Sequence, residues 1–362
     1  MKIVFLLGYI NSSHAKNRVL EFMEHGYDVE VYGFERKGRV GAEKTPYVCH
    51  SIGTLEDGVY LDRIKTYIKA FRKIKNTHGT KDVIYYINGL DRAFSFVFFN
   101  WKAKYIYEEA DLVHTYMKSK WLFEHIDKMI IRKSFLTILT SEGFRIFHFG
   151  NNKLQNVCVI PNRLNPDVIK LPMCKKESFS SNCIHFGFVG KPRFKSIYNI
   201  IDVICSEFPN HSFDIFGGPI EEEFSELKKY ANCHFHGFFN NPVDLPNIYS
   251  KIDVVVATYD VAYENVRYAE PNKIYEAIYF DTPILVSTNT FLAEKVAKLD
   301  IGFDIDPLDR KQIVEFVNSL SVDLMNKKKE SISRIDKAET LNNNKDFFRA
   351  LNRNIEDLRV YY

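Results

Sequence analysis

No stretch of this sequence approaches the roughly 18 consecutive apolar residues that a membrane-spanning helix needs; the longest candidate, "FSFVFFNW" at 94–101, is far too short. Its six cysteines (Cys49, Cys158, Cys174, Cys183, Cys205 and Cys233) include no C-x-x-C pair. That pattern excludes a zinc ribbon and speaks against a disulfide framework, so reduced packing thiols of a cytoplasmic protein are expected. None of the eleven histidines falls in H-E-x-x-H, and no metal or other cofactor is expected. Glycine is sparse where a dinucleotide would require it. The turn after the first apolar run, "LLGYINSSH", has one glycine in place of G-x-G-x-x-G, which counts against a dinucleotide dehydrogenase. Low-complexity tracts and internal repeats are also missing. The opening "MKIVFLLGYI" meets polar "NSSH" without a small-residue cleavage site and reads as a first core strand, not a secretion signal.

What is present is an ordinary globular composition. The 362 residues are 46% apolar and 26% charged, enough for about two domains at roughly 150 residues each. Net charge is +3, unevenly spread: residues 1–165 hold 25 Lys and Arg against 17 Asp and Glu, whereas residues 166–362 hold 24 against 29. A basic first half suits an anionic surface or partner. Short β-branched or aromatic runs ("KIVFLL", "DVEVYGF", "PYVCHSI", "DVIYYI", "KYIYE", "FLTILTS", "VCVIPN") alternate with amphipathic stretches such as "HAKNRVLEFMEHG" and "DRIKTYIKAFRKIKNTHG". Periodicity fades through "LNPDVIKLPMCKKESFSSN", then resumes with "IHFGFVG", "HSFDIFGG", "NCHFHGFF", "KIDVVVAT" and "TPILVST".

Repeated β-α alternation predicts parallel sheets covered on both faces, here twice. The expected architecture is α/β, two Rossmann-like doubly wound domains facing a cleft. The expected spans are a first domain at 1–168, a linker at 169–183 and a second domain at 184–342, with a terminal helix at about 343–362 that could pack back on the first domain.

Two stretches carry chemistry. In "FGFVGKPRFKSIYNIIDVI" a buried strand ends at Gly190, a turn carries Lys191, Arg193 and Lys195, and a helix begins. Glycine permits close backbone approach, the cations neutralise phosphate, and a helix start offers unpaired N–H groups. In "EPNKIYEAIYFDTPIL" Pro271 suits a helix start. Asn272 and Lys273 bring an amide and a cation to the positive end of that helix, with Glu276 near the same face to accept bonds from sugar hydroxyls. "DID" at 304–306 has the D-x-D spacing of metal-dependent transferases, but it sits in a strand-end loop and no metal role is expected of it.

These stretches, with "DVIYYINGLD", "YIYEEADL", "LTILTSEGF", "VCVIPNR", "FDIFGG", "HFHGF" and "IYSKIDVVVAT" in that order, resemble family-4 glycosyltransferases of the GT-B fold across nearly the whole chain. The resemblance implies a retaining hexosyltransferase that uses a nucleoside-diphosphate sugar and a glycan or lipid-linked acceptor, in bacterial cell-surface polysaccharide or capsule assembly. It implies a cytoplasmic protein, possible peripheral contact with an anionic inner membrane face, and no nucleic-acid partner. It places Gly190, Lys191, Lys195, Glu270, Asn272, Lys273 and Glu276 on the donor. Relatives often carry a His-Asp pair in the first domain; here Ala110 stands at the histidine position beside Asp111, leaving Glu109, Asp111 and His114 as catalytic candidates. A nucleotide-sugar 2-epimerase of the same fold and an inactive donor-binding subunit are the alternatives. Replacing Glu276 or Lys195 is expected to weaken transfer at little cost to folding.

Overall fold

The computed structural model describes residues 1–36, 45–55, 60–176 and 179–360. The chain divides into two compact units, Met1–Ile160 with Asn344–Tyr362, and Pro161–Asn343.

Unit 1 holds β1 (Lys2–Leu7), β2 (Asp28–Arg36), β3 (Cys49–Leu55), β4 (Val83–Asn88), β5 (Tyr105–Glu109), β6 (Leu136–Leu139) and β7 (Val157–Val159). They form one parallel sheet in the order β3-β2-β1-β4-β5-β6-β7. The run "KIVFLL" becomes a central strand because both of its faces are covered, as an all-parallel sheet requires. Ile3, Phe5 and Leu7 meet Val19 and Phe22 on one side, while Val4 and Leu6 meet Phe34 and the other core on the opposite side. The helix Lys345–Val360 belongs to the first of these faces. Its Phe347, Phe348 and Leu351 are buried there, and Phe348 stacks on His25 at 3.6 Å between ring centroids.

Unit 2 holds β8 (His185–Val189), β9 (Ser212–Phe216), β10 (Cys233–Gly237), β11 (Val254–Ala257), β12 (Ile284–Ser287) and β13 (Gly302–Ile305). Its sheet is parallel, ordered β10-β9-β8-β11-β12-β13. Each sheet therefore reverses its winding once, between β1 and β4 and between β8 and β11. Loops leaving the carboxyl ends diverge at such a point and open a crevice for ligands.

Two elements differ from the sequence-based expectation. "GFDI" is a strand, β13, pairing with β12 through Val286 and Asp304. The last residues of the expected first domain pack with unit 2: Leu164 exchanges backbone bonds with Thr340 (3.0 Å) and Asn342 (2.8 Å), and Val168 is buried in the unit 2 core. Of the expected linker, residues 177 and 178 lie outside the described residues.

Candidate functional site

In unit 2 the basic turn follows β8 directly. Gly190 has φ +144°, a conformation open to glycine, and its N–H donates to the Phe216 carbonyl at 2.7 Å. The neighbouring Gly217 must also lack a side chain, because a Cβ there would sit 2.1 Å from the Gly190 carbonyl oxygen. Lys191, Arg193 and Lys195 are all exposed; Lys191 pairs with Glu221 at 2.8 Å and Arg193 lies over the Phe194 ring.

The first amides of the helix Lys195–Glu207 are not left open. The Asp260 carboxylate, from the loop after β11, accepts from the N–H of Ser196 at 2.8 Å and of Lys195 at 3.3 Å. Sequence reading missed Asp260, since a single acid after an apolar run carries no signal of which helix it will cap. The preceding Tyr259 is tied to β12 by Ser287, whose hydroxyl donates to the Tyr259 carbonyl and accepts from its N–H. Its ring meets Phe194 edge-on at 5.4 Å. Tyr259 is also close enough to Glu276 and Arg193 for both to act on its hydroxyl, which burial, followed by Glu276, holds above the ordinary tyrosine range. The hydroxyls of Ser196 and Thr258 are buried at this same crossing of loops without a partner.

The helix Lys273–Tyr279 is short and mostly buried. Glu276 is only 1% exposed, and its two oxygens are fully engaged. Oε1 accepts from Asn272 Nδ2 (2.7 Å) and Lys273 Nζ (3.0 Å); Oε2 accepts from Lys273 Nζ (2.9 Å) and Tyr249 Oη (2.7 Å). Four bonds from three donor groups fill the lone-pair capacity of a carboxylate. The expected residues do converge, but Lys273 and Asn272 turn inward onto Glu276. Glu270 is likewise buried and occupied, by Lys295 at 2.5 Å and by the Tyr275 hydroxyl. Tyr249 and Lys295, 27 and 25 residues from the carboxylates they meet, were not legible as partners. The aspartates of "DID" stay apart from any cluster of metal-ligating groups among the described residues; Asp306 instead accepts from the Leu308 N–H at 2.9 Å as a turn cap.

In unit 1 the candidates separate by depth. Asp111 is exposed, whereas Glu109 and His114 are buried to 1% or less. Glu109 meets His148 at 2.8 Å, and His114 Nδ1 lies 3.2 Å from Asp127 Oδ2. Burial, with Asp127 close by, pushes the Glu109 carboxyl well above its usual range. Burial would raise Asp127 too, but its contacts with His114 and Glu109 prevail and lower it. Burial holds the His148 imidazole down to about 4. A second buried network lies at the carboxyl edge of the same sheet. Glu108 accepts from Arg18 (2.9 Å), His14 (3.0 Å) and Tyr86 (2.5 Å).

With this geometry in view, the comparisons with known proteins are specific in kind. Residues 186–338 match the family described as Glycosyl transferases group 1. No curated protein sequence matches the chain. Among solved structures, the chain superposes on sucrose-phosphate synthase from Thermosynechococcus elongatus with a TM-score of 0.71 at 12% identity, covering 100% of both chains. It superposes on Anabaena HepE in complex with UDP and glucose with a TM-score of 0.67 at 15% identity, covering 97% of this chain and 99% of that one. For WaaG, described as a glycosyltransferase involved in lipopolysaccharide biosynthesis, the TM-score is 0.64 at 14% identity, with 93% and 97% covered.

Proposed function

We propose that this chain, a glycosyltransferase of the GT-B fold, transfers a hexose from a nucleoside diphosphate to a glycan or lipid-linked glycan, with retention of configuration, in cell-surface polysaccharide assembly. The observation that supports this reading best is the Tyr259–Asp260 loop. It joins the basic turn after β8 to the Glu276 cluster at the switch point of the unit 2 sheet. Diphosphate departure leaves negative charge on the leaving phosphate and positive charge at the anomeric carbon. The exposed ammonium groups of Lys191 and Lys195 are the cations that meet the leaving group, doing electrostatically what a metal does elsewhere. The unpartnered Ser196 and Thr258 hydroxyls add donors in the same region. Glu276 receives the ribose hydroxyls once Lys273 or Asn272 releases one of its bonds. Of the unit 1 candidates, Asp111 is the exposed one, and contact with the reacting groups is assigned to it; Glu109 and His114 support its loop from within.

Incubating the purified protein with a panel of nucleotide sugars tests the assignment. Slow release of free nucleotide supports transfer. A changed sugar would make it a 2-epimerase, and binding without turnover would make it an inactive donor-binding subunit, the reading that Ala110 invites.

Lys195→Ala is expected to lower kcat/KM about ten- to hundredfold, the loss of one charge-assisted contact of about 1.5–3 kcal/mol. Because Lys195 is exposed and its helix remains capped by Asp260, the melting temperature should stay put. Unchanged kinetics would remove Lys195 from the donor site.

Peripheral membrane contact is a further part of the proposal. Among the described residues no helix is long and apolar enough to cross a bilayer. The helix Lys120–Lys133 buries Asp127, Ile130 and Ile131, and leaves Trp121 71% exposed. Near its other end Lys133 lies 3.2 Å from the centroid of Trp101, itself 68% exposed. Along the helix axis Trp121 and Lys133 are about 18 Å apart, and Lys102, Lys118 and Lys120 adjoin the two tryptophans in sequence. Each basic residue near an anionic surface contributes about 1 kcal/mol, and aromatic side chains suit the headgroup level. The protein should sediment with anionic vesicles at low salt and come off at high salt. Replacing both tryptophans with alanine should weaken sedimentation; a wild-type protein that stays in the supernatant at low salt points instead to a water-soluble acceptor.

A further inference from the structure

We propose that Glu109, His114 and Asp127 ligate a divalent cation of the zinc type inside unit 1, contrary to the absence of metal expected from sequence. Each offers a ligand atom, and these atoms all lie within 4.8 Å of one another although they come from β5, the turn Val113–Tyr116 and the helix Lys120–Lys133. None of the three has meaningful solvent contact.

The outer atoms of the two carboxylates are held, and the inner ones are not. The Tyr107 hydroxyl donates to Asp127 Oδ1 at 2.9 Å, and His148 Nε2 holds Glu109 Oε2 at 2.8 Å. That leaves Asp127 Oδ2, Glu109 Oε1 and both ring nitrogens of His114 buried without a hydrogen-bond partner. Supporting groups that fix the far side of each ligand are the usual surroundings of a protein metal site. The 3.2 Å between His114 Nδ1 and Asp127 Oδ2 lies near the edge of about 3.3 Å that tetrahedral coordination with bonds of about 2.0 Å gives. No pair has to close by more than about 1.5 Å to reach the same geometry.

Charge leads to the same place. Two carboxylates sit together in the interior, and among the described residues neither forms an ion pair with a Lys or Arg. Lys128, on the same helix, is paired with Glu124. A proton shared between Glu109 and Asp127 neutralises one charge and still leaves His114 Nε2 buried without a partner, which costs about 1–3 kcal/mol. A divalent cation neutralises both carboxylates and engages the imidazole with them. An imidazole with two carboxylates suits Zn²⁺ or Mn²⁺ rather than Ca²⁺. The ion would cross-link three elements around the loop that carries Asp111.

The full-length protein, expressed in zinc-supplemented medium and dialysed against metal-free buffer, should retain about one zinc per chain by elemental mass spectrometry. Preparation with Co²⁺ should give the visible absorption bands of a four-coordinate nitrogen and oxygen site. Glu109→Gln and His114→Ala should each lower retention at least tenfold. If a variant does not fold, the wild-type metal content and cobalt spectrum decide alone. Wild-type protein without retained zinc and without cobalt bands overturns the site, leaving a proton-sharing cluster. Undiminished zinc in both variants overturns it equally, placing the ion elsewhere.

Discussion

Glu276→Ala should do two things at once: lower kcat/KM about a hundredfold and lower the melting temperature of unit 2 by about 6–20 °C. The first effect is the loss of a charged acceptor for the donor, about 3 kcal/mol at the upper end for a charge-assisted bond. The second follows from burial, and it corrects the sequence-based expectation that this substitution is silent in folding. Glu276 is 1% exposed and the Lys273 side chain 10%, so alanine leaves an ammonium in the interior with no counter-charge. Breaking a buried pair in this way costs about 3–5 kcal/mol, and a unit of this size moves by about 2–4 °C per kcal/mol. Adding Lys273→Met to Glu276→Ala should recover much of the melting temperature and none of the activity. Thermal scans and donor kinetics on the single and double variants check this; a single variant that melts like wild type would show that Lys273 finds solvent by itself.

Glu108→Gln is expected to destabilise unit 1 by a comparable amount and to change its pH dependence. Arg18, its side chain 5% exposed, depends on Glu108 together with Glu21, and a neutral partner leaves much of that charge uncompensated, again about 3–5 kcal/mol. The pH behaviour has two limbs. The Glu108 carboxyl is held well below its ordinary 4.5, because His14 and Arg18 outweigh the burial that would raise it. Its contribution is therefore present above 4.5 and lost as pH falls through the depressed folded value. His14 is raised above 6.5, chiefly by the Glu108 charge. Its contribution is present below 6.5 and lost as pH rises through the folded value. Unit 1 should gain most from the pair between these limits, and Glu108→Gln should flatten both limbs while returning His14 toward 6.5. Melting temperature against pH, with the His14 imidazole followed by NMR, measures both. An unmoved His14 titration would remove Glu108 as its partner.

How much of this was legible in the sequence depended on whether a signal was local. Central strands such as "KIVFLL" and "DVVVA" declared themselves because burial on both faces writes an unbroken apolar run. Gly190 and the basic turn were visible because strand end, glycine and cations are adjacent. "GFDI" escaped notice as a strand: four residues with an exposed aspartate, Asp304, carry no alternation worth counting. The end of the first domain was misplaced for a similar reason. Residues 161–168 join unit 2 through backbone bonds from Leu164 to Thr340 and Asn342 and through the buried Leu164 and Val168, two apolar residues too few to show a period. At the site, spacing correctly gathered Asn272, Lys273 and Glu276, but it could not tell an outward-facing lysine from one folded back onto its own helix. The difference is set by Tyr249, 27 residues away, which closes the other side of the carboxylate. The resemblance likewise brought Glu109 and Asp111 together as neighbours of Ala110, but β5 ends at Glu109, which is buried, and Asp111 lies beyond it and is exposed.

The return of helix Lys345–Val360 to unit 1 has a consequence for how the protein is made. Unit 2 is continuous in sequence and can close once residue 343 has left the ribosome. Unit 1 cannot, although most of it is synthesised first. Until residues 347–351 emerge, Phe22 lacks the rings of Phe347 and Phe348 that later meet it at 5.8 and 5.0 Å, and an aromatic face of the nascent sheet stays open to water. Incomplete units with exposed apolar surface are the species that aggregate or recruit chaperones. A nascent chain stalled with residue 343 just outside the ribosome should therefore be held by chaperones through its first half, and released when some fifteen more residues, about one helix, have emerged.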